Sequence, residues 1–225
     1  MGLQQYWKKR NFQRTPEPRG KNVPPDGRLR FVIQKHAASR LHYDFRLELN
    51  GTLKSWAVPK GPSLDPAQKR LAVHVEDHPL EYAGFEGVIP EKQYGGGTVL
   101  LWDRGYWEPI GDPGSSYRRG RLTFTLHGEK LHGIWNLVRM GGRKEDGKEN
   151  WLLIKEDDEE AQRGKRGEIT QTLEESVASG KTLEQIAAGE PAVWQPERPS
   201  GKKSRAGSAP RPIKRTPAPG ARKAP

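Results

Sequence analysis

The chain has 225 residues, of which 32% are apolar; it contains 26 glycines, 19 prolines and no cysteine, and carries a net charge of +11. The lack of cysteine excludes disulfides and thiolate metal sites and favours a reducing compartment, so we expect a cytoplasmic protein. No segment is long and apolar enough to span a bilayer, and the first residues lack the apolar stretch of a secretory signal, so no membrane association is expected.

The positive charge is concentrated at the two ends of the chain. Residues 196–225 carry a net charge of +8 and residues 1–30 carry +6, which leaves −3 on residues 31–195. Basic ends around a mildly acidic body are typical of proteins that bind a polyanion, with nucleic acid as the first candidate. We therefore expect association with the nucleoid, although basic ends can also serve only to keep a protein soluble.

The chain order predicts an arm followed by a β domain. Residues 1–29 are rich in Pro, Arg and Gly and are predicted to form a basic, irregular arm. Short alternating segments separated by Gly and Pro then predict about eight strands within residues 30–156, including a hairpin that turns at HGEK, residues 127–130. Almost no helical periodicity occurs before residue 160, so an all-β barrel or sandwich is expected.

Helical signals are confined to a predicted linker, residues 157–195. The segments TLEESVAS (172–179) and TLEQIAAG (182–189) each begin with Thr and have Glu or Gln three residues later, the pattern of a capping box. Two short helices are therefore predicted. The remainder, residues 196–225, contains mostly Pro, Gly, Ala, Ser, Lys and Arg and is predicted to be a disordered tail.

The segment LHYDFRLELN, residues 41–50, alternates without interruption between apolar and polar residues. Alternation with period two predicts a strand, with His42, Asp44 and Arg46 on its polar face. His36 lies just before this strand, across a short connection. Two imidazoles and a carboxylate form a facial set for a divalent ion, and Mn²⁺, Fe²⁺ or Zn²⁺ would all fit. The alternative is a surface strand with incidental polar residues.

Cationic residues accompany this metal-ligand set. Arg46 shares its strand face, and Lys60, Arg70 and His78 follow along the chain. In KRLAVHVEDH the alternation predicts that Leu71, Val73 and Val75 face the core, with Arg70, His74, Glu76 and His78 on the opposite face. A metal ion beside several cations is suited to phosphoryl chemistry, whereas a non-haem iron oxygenase would use the same triad without these cations.

The residues also resemble a known family. The segments QKHAASRLHYDFRLELNGTLKSWAVPKGPSLDP, KRLAVHVEDHPLEYAGFEGVIPEKQYGGG and WDRGYWEP are similar to the 3′-phosphoesterase domain of bacterial DNA ligase D and its stand-alone relatives. The resemblance runs from about Arg10 to Trp194 and implies a compact β-barrel with its site in a crescent groove. It also implies a metal-dependent enzyme that removes a terminal ribonucleoside, and then the 3′-phosphate, from the 3′ end of a primer strand.

The resemblance assigns a role to each site residue. His36, His42 and Asp44 are implied to be Mn²⁺ ligands, with Co²⁺ or Zn²⁺ as substitutes. Arg46 and His78 are implied to contact the scissile phosphate. The surrounding site is implied to contain Lys60, Arg70, Glu76 and Tyr82, with Lys60 and Arg70 as further phosphate contacts.

The arm matches the family pattern except at one position. Arg10, Phe12, Thr15 and Glu17 agree with it, whereas Asn11 replaces an aspartate. A weaker diesterase step is therefore expected. The resemblance also implies that a DNA ligase and the bacterial end-joining protein Ku are partners.

Two hypotheses therefore stand side by side. The first is a stand-alone, Mn²⁺-dependent enzyme that repairs 3′ ends of primer-template DNA. The second is a non-catalytic adaptor that binds DNA ends, for which Asn11 is the only support in the sequence.

Overall fold

The computed structural model describes residues 2–20, 27–141 and 149–189. These residues form three short α-helices and nine β-strands. The helices are α1 Gln4–Lys8, α2 Pro113–Arg119 and α3 Leu183–Ala188. The strands are β1 Leu29–Ala37, β2 Leu41–Leu49, β3 Thr52–Val58, β4 Arg70–His74, β5 Gly87–Ile89, β6 Gly97–Pro109, β7 Arg121–Gly128, β8 His132–Arg139 and β9 Asn150–Lys155. Short 3₁₀ helices occur at Leu80–Gly84, Gly164–Gly167 and Ile169–Gln171.

Eight of the strands close into an antiparallel barrel. The sheet order is β1-β2-β3-β4-β9-β8-β7-β6, and β1 pairs with β6 to close it. Strand β5 adds to β6 outside this ring. The predicted β-barrel is therefore confirmed, and the hairpin at residues 127–130 joins β7 to β8 as expected. Closure pairs β1 with β6, so that within the eight-stranded ring neither of these two strands is left as a sheet edge.

The apolar face of β2 points into the barrel. Tyr43, Phe45, Leu47 and Leu49 are buried in one large cluster, together with five tryptophans contributed by other elements, Trp56, Trp102, Trp107, Trp135 and Trp151. Leu41, at the start of the strand, is 50% exposed. The predicted phase of the alternation is correct for the other four residues.

A second apolar cluster covers the outer face of the barrel beside the polar side of β2. It comprises Tyr6 from α1 together with Val32, Leu53, Leu80, Tyr82, Phe85, Ile89, Val99 and Leu101. The polar face of β2 is consequently buried as well: Asp44, Arg46 and Glu48 are all buried. Buried charges must be paired, and the groups that pair them define the candidate site.

The prediction of which β4 residues face the core is wrong. Leu71 is 42% exposed, whereas Ala72 is buried in the interior cluster. Strand pairing sets this phase, because Trp56 lies opposite His74 and Ala57 opposite Val73. Residues that face each other across antiparallel strands point to the same side, so His74 shares the inner face of Trp56.

The helix predicted at 172–179 is absent. Val177 instead donates its backbone N–H to Leu101 O, and the Ser176 hydroxyl bonds Glu86 while accepting from the N–H groups of residues 178 and 179. These contacts satisfy the polar groups of the segment without a helix. The second prediction is correct: α3 begins at a capping box formed by Thr182 and Gln185.

Two of the helices, α1 and α2, were not predicted from the sequence. The arm contains α1, so it is not wholly irregular, and Tyr6 anchors it in the second cluster. Helix α2 has Asp112 as its N-cap, Pro113 in its first turn and Gly120 with φ 79° at its C-terminus. These are ordinary signals of a helix start and end, but the segment is too short to show the apolar periodicity of a helix. The predicted tail, residues 196–225, and the end of the predicted linker, residues 190–195, lie outside the described residues.

None of the described helices is both long and apolar enough to cross a membrane.

Candidate active site

The β1–β2 hairpin brings the three predicted metal ligands together. His36 and His42 lie opposite each other in the register, and Asp44 lies one pleat further along, opposite Gln34. His36 Nδ1 is 3.5 Å from Asp44 Oδ2, and His42 Nε2 is 3.7 Å from Asp44 Oδ1. One ligand atom from each residue lies within 4.8 Å of the other two. This spacing suits three ligands on one face of a single ion.

Backbone carbonyls orient both imidazoles. His36 Nε2 lies 2.9 Å from Gly95 O, and His42 Nδ1 lies 2.9 Å from Arg40 O. A carbonyl accepts only, so we assign the ring proton to these nitrogens. The lone pairs then sit on His36 Nδ1 and His42 Nε2, the nitrogens that face Asp44. Metal-binding histidines are commonly fixed in this way, and the donor set fits a divalent ion.

Asp44 is ionised although it is buried. Burial alone would raise its pKa, but the positive charge of the Arg46 guanidinium, 3.1 Å away, outweighs this effect. The pKa of Asp44 therefore lies well below its usual value, and the carboxylate is available as an anionic ligand.

Arg46 is held by three neighbours and is 2% exposed. Its Nε donates to Gln34 Oε1 at 2.8 Å, its Nη2 donates to Asp44 Oδ2, and its Nη1 lies 2.9 Å from His78 Nδ1. Gln34 is held in turn, because its amide donates to the carbonyls of Tyr82 and Phe85. The guanidinium is thus fixed beside the metal-ligand set.

His78 lies between two guanidinium groups. It reaches this position because its backbone pairs with Leu53 of β3 through two hydrogen bonds. Its Nδ1 faces Arg46 Nη1, and its Nε2 is 3.1 Å from Arg10 Nη2. Burial lowers the pKa of His78 well below the usual value, and the charges of Arg46 and Arg10 lower it further, so the ring is neutral.

A neutral imidazole can accept only one of these two guanidinium contacts. His78 Nδ1 also lies 2.9 Å from Glu76 O, which must accept. We therefore assign the ring proton to Nδ1, so that Nε2 accepts from Arg10. The Nη1 group of Arg46 then faces an N–H and has no acceptor on His78, which leaves it able to donate to an incoming anion.

The N-terminal arm completes this cluster. Arg10 Nε donates to Glu17 Oε1 at 2.8 Å and its Nη1 donates to Glu76 Oε1 at 3.1 Å. Glu17 Oε1 also accepts from the Tyr82 hydroxyl at 3.1 Å, and burial raises the pKa of Tyr82 well above its usual value. Lys9 Nζ contacts Glu76 Oε2 at 3.0 Å.

Nine of the twelve predicted site residues are therefore contiguous: His36, His42, Asp44, Arg46, His78, Glu76, Tyr82, Arg10 and Glu17.

The other three predicted site residues make different contacts. Arg70 is buried at the start of β4 and pairs with Glu168. Lys60 is exposed just after β3. Asn11 is exposed, and its Oδ1 accepts from the backbone N–H of Gln13, 3.1 Å away, closing a local turn.

Sequence reasoning missed Gln34, Lys9 and the Gly95 carbonyl. Gln34 could have been found, because it lies two residues before His36 and so shares its strand face. Lys9 and Gly95 carry no such signal, since their contacts depend on how the arm and the 90–97 loop fold over the barrel.

Comparisons with known proteins identify the family to which this part of the chain is similar. Residues 34–139 match the family model described as the DNA ligase D 3′-phosphoesterase domain. The chain is 55% identical over 184 residues to the multifunctional non-homologous end joining protein LigD of Pseudomonas aeruginosa, covering 80% of this chain and 22% of that protein. It is 40% identical over 188 residues to the corresponding protein of Mycolicibacterium smegmatis, covering 80% and 24%.

A third relative, the multifunctional non-homologous end joining DNA repair protein LigD of Mycobacterium tuberculosis, is 46% identical over 145 residues, covering 62% of this chain and 18% of that protein. The chain thus spans about a fifth to a quarter of the length of these relatives. The matched segment includes the three metal-ligand candidates, Arg46 and His78. The chain therefore carries a domain of the DNA ligase D 3′-phosphoesterase family.

Proposed function

We propose that this protein is a metal-dependent phosphoesterase that processes the 3′ ends of DNA. Its substrates would be primer strands that end in a ribonucleoside, which it removes as a phosphodiesterase, and strands that end in a 3′-phosphate, which it removes as a phosphomonoesterase. Removal of the ribonucleoside leaves a 3′-phosphate, and removal of that phosphate gives a 3′-hydroxyl end. One observation carries the proposal: the three candidate metal ligands directly adjoin the buried guanidinium group of Arg46.

The charges of the cluster support a divalent ion and a phosphate together. Lys9, Arg10 and Arg46 carry three positive charges, and Glu17, Asp44 and Glu76 carry three negative charges. Within this hydrogen-bonded set of described residues the charges balance. A divalent ion held by His36, His42 and Asp44 would supply positive charge to the phosphate and lower the pKa of a nucleophilic water. We propose Mn²⁺ for this role, and Co²⁺ or Zn²⁺ could use the same donors.

The protein's own residues would divide the remaining work. Arg46 Nη1 would donate to a phosphate oxygen and stabilise the charge that this oxygen gains in the transition state. His78, neutral and buried, would contact the same phosphate and can accept or donate a proton. Gln34 and Asp44 fix Arg46, while Arg10, Glu17 and Tyr82 fix His78 from the arm side.

The relatives' names support the choice of DNA ends as substrate. They are end-joining proteins, and the matched family model names a 3′-phosphoesterase. We propose a DNA ligase and the end-joining protein Ku as partners, on the ground of the family resemblance alone. The three residues placed apart from the cluster, Lys60, Arg70 and Asn11, would contribute only if bound DNA brings phosphates to them.

An assay on a primer-template that ends in one ribonucleotide tests the proposal. We expect ribonucleoside removal with Mn²⁺, measured on a gel alongside Co²⁺, Zn²⁺ and Mg²⁺, and its loss on chelation. His42→Ala should lower the rate at least about 100-fold, because it removes one of three ion ligands. His132→Ala is the matched control, since this exposed histidine lies on β8 away from the cluster.

Two results would contradict the proposal. The metal assignment would be refuted if His42→Ala trimmed the substrate at an unchanged rate and also bound Mn²⁺ with unchanged affinity in calorimetry. Salt-dependent binding of DNA ends with no product in excess Mn²⁺ would instead support the non-catalytic adaptor.

A further inference from the structure

A groove of about 440 Å³ lies on the N-terminal arm, outside the metal-ligand set. Its walls are Trp7, Arg10, Phe12, Arg19 and Gly20. We call it the arm groove. Two aromatic rings and two guanidinium groups line it, with no acidic residue among the five. A space of this size and composition suits a planar, electron-rich group attached to an anion.

Trp7 presents a fixed ring to this groove. Trp7 is 46% exposed, whereas the five tryptophans of the barrel interior are buried. The indole Nε1 donates to Arg19 O at 2.9 Å, which holds the ring across the turn of the arm. A ring that is already ordered loses little conformational entropy when another ring stacks on it.

Arg19 supplies unpaired positive charge at the same place. Its guanidinium lies 5.8 Å from the centre of the Phe12 ring. It forms no ion pair with any other described residue, in contrast to Arg10, which is paired with two glutamates. An arginine that stacks on an aromatic ring while its charge is free can contact a phosphate beside a stacked base.

Arg10 connects the arm groove to the candidate active site. It lines the groove, and its Nη2 contacts His78. Gly20, which also lines the groove, has a φ of 94°, and a Cβ there would come within 3.0 Å of Pro79 Cβ. A strand with its phosphate at His78 would therefore have a neighbouring nucleotide beside Trp7.

We propose that the arm groove binds an unpaired nucleobase of the strand whose 3′ phosphate is processed, by stacking on Trp7 with Arg19 on an adjacent phosphate. The proposal rests on the proposed function for the identity of the strand, but base binding itself does not require turnover. It assigns Trp7 as a substrate-binding residue and gives the arm a role in holding the DNA end.

The test measures the affinity of a fluorescein-labelled primer-template with a 3′-ribonucleotide, by anisotropy in EDTA so that no cleavage occurs. Trp7→Ala should weaken binding by about 5- to 100-fold, the range for loss of one stacked base. The affinity of Trp7→Phe for the same DNA should remain within about threefold of the affinity of the unmodified protein. Ile110→Ala is the control for loss of an exposed apolar side chain, since Ile110, directly after β6, is 51% exposed and is not one of the residues that line the groove.

A second measurement identifies the base. An abasic site is introduced at each of the last nucleotides of the strand in turn. At one position, removal of the base should weaken binding to the unmodified protein as much as the Trp7→Ala change weakens binding of the complete strand. The affinity of Trp7→Ala itself should not change when that base is removed. This pattern is a signature of direct contact that a merely structural role for Trp7 would not give.

Three outcomes would overturn the inference: unchanged affinity of Trp7→Ala, equal losses for Trp7→Ala and Trp7→Phe, or no abasic position that weakens binding. Failure of the proposed function is distinguishable, because it would appear as absent trimming with the Trp7-dependent binding intact. Conversely, normal trimming with no effect of Trp7 on affinity would refute only the arm groove.

Discussion

His78 is held between two guanidinium groups, and its neighbours determine its charge. Arg10 and Arg46 approach opposite nitrogens of the ring, and burial removes the water that would stabilise a protonated form. Because a nearby cation disfavours the imidazolium, the ring is neutral and can accept a hydrogen bond. A phosphate that entered beside the two arginines would offset their charge and make the ring easier to protonate.

Removing one cation should therefore raise the pKa of His78. We expect Arg10→Met to shift this pKa upward towards its ordinary value, since it also removes the Arg10 ion pairs of the Glu17 and Glu76 carboxylates. NMR titration of the ring nitrogens measures the effect. Arg19→Met is the control, because Arg19 does not contact the ring. An unchanged pKa in Arg10→Met would show that burial and Arg46 keep His78 neutral without help from Arg10.

At the scale of elements, β6 closes the barrel by pairing with β1. It pairs with β5, β1 and β7 along its 13 residues, and Gly105 faces both β1 and β7. A Cβ on Gly105 would lie 2.0 Å from His127 O, a distance that no relaxation of a side chain could relieve. The strand can join both neighbours only because this residue lacks a side chain.

Gly105→Ala should consequently destabilise the barrel. We expect the free energy of unfolding to fall by about 1–3 kcal/mol, the usual range for forcing extra atoms into a packed site. Urea denaturation followed by tryptophan fluorescence measures it. The matched change Gly84→Ala, where no atom lies within 4 Å of the added Cβ, should be nearly neutral. Equal effects of the two changes would contradict the steric explanation.

Local sequence signals determined some elements and failed for others. The capping box at Thr182 and the hairpin at 127–130 depend on neighbours in the chain, so they were predicted correctly. The segment 172–179 has the same capping pattern, but its polar groups bond to Leu101 and Glu86 instead. Tertiary partners can override a helix propensity that is worth only a few tenths of a kcal/mol per residue.

At the scale of the whole molecule, the arm and the barrel form one site. The arm supplies Arg10 and Glu17, whereas β2 supplies Asp44 and Arg46. Tyr6 fixes the arm in place: it is fully buried, its hydroxyl donates to Pro18 O at 2.5 Å, and its ring packs edge-on against His78 and Tyr82. Opening of the arm would therefore dismantle the phosphate side of the site and leave the metal-ligand set intact.

Tyr6→Ala tests this division. We expect it to favour arm opening by about 3–5 kcal/mol, the usual cost of truncating a buried aromatic residue. Hydrogen exchange should accelerate at the amides of residues 4–17 while barrel amides such as that of Phe45 keep their protection. Tyr6→Phe, which removes only the hydroxyl bond, should cost about 1 kcal/mol. Uniform acceleration across arm and barrel would show that the two unfold as one unit.

The sequence by itself predicted an all-β domain, the faces of β2 and the grouping of His36, His42 and Asp44, because the geometry of an extended strand fixes which side each residue occupies. The alternation predicted the wrong phase for β4, where the pairing of Trp56 with His74 decides the inner face. The sequence also could not place Arg10 against Glu76, 66 residues away, or choose the nitrogen of His36 that keeps its proton. Those features depend on contacts between distant segments, and only the tertiary structure brings such segments together.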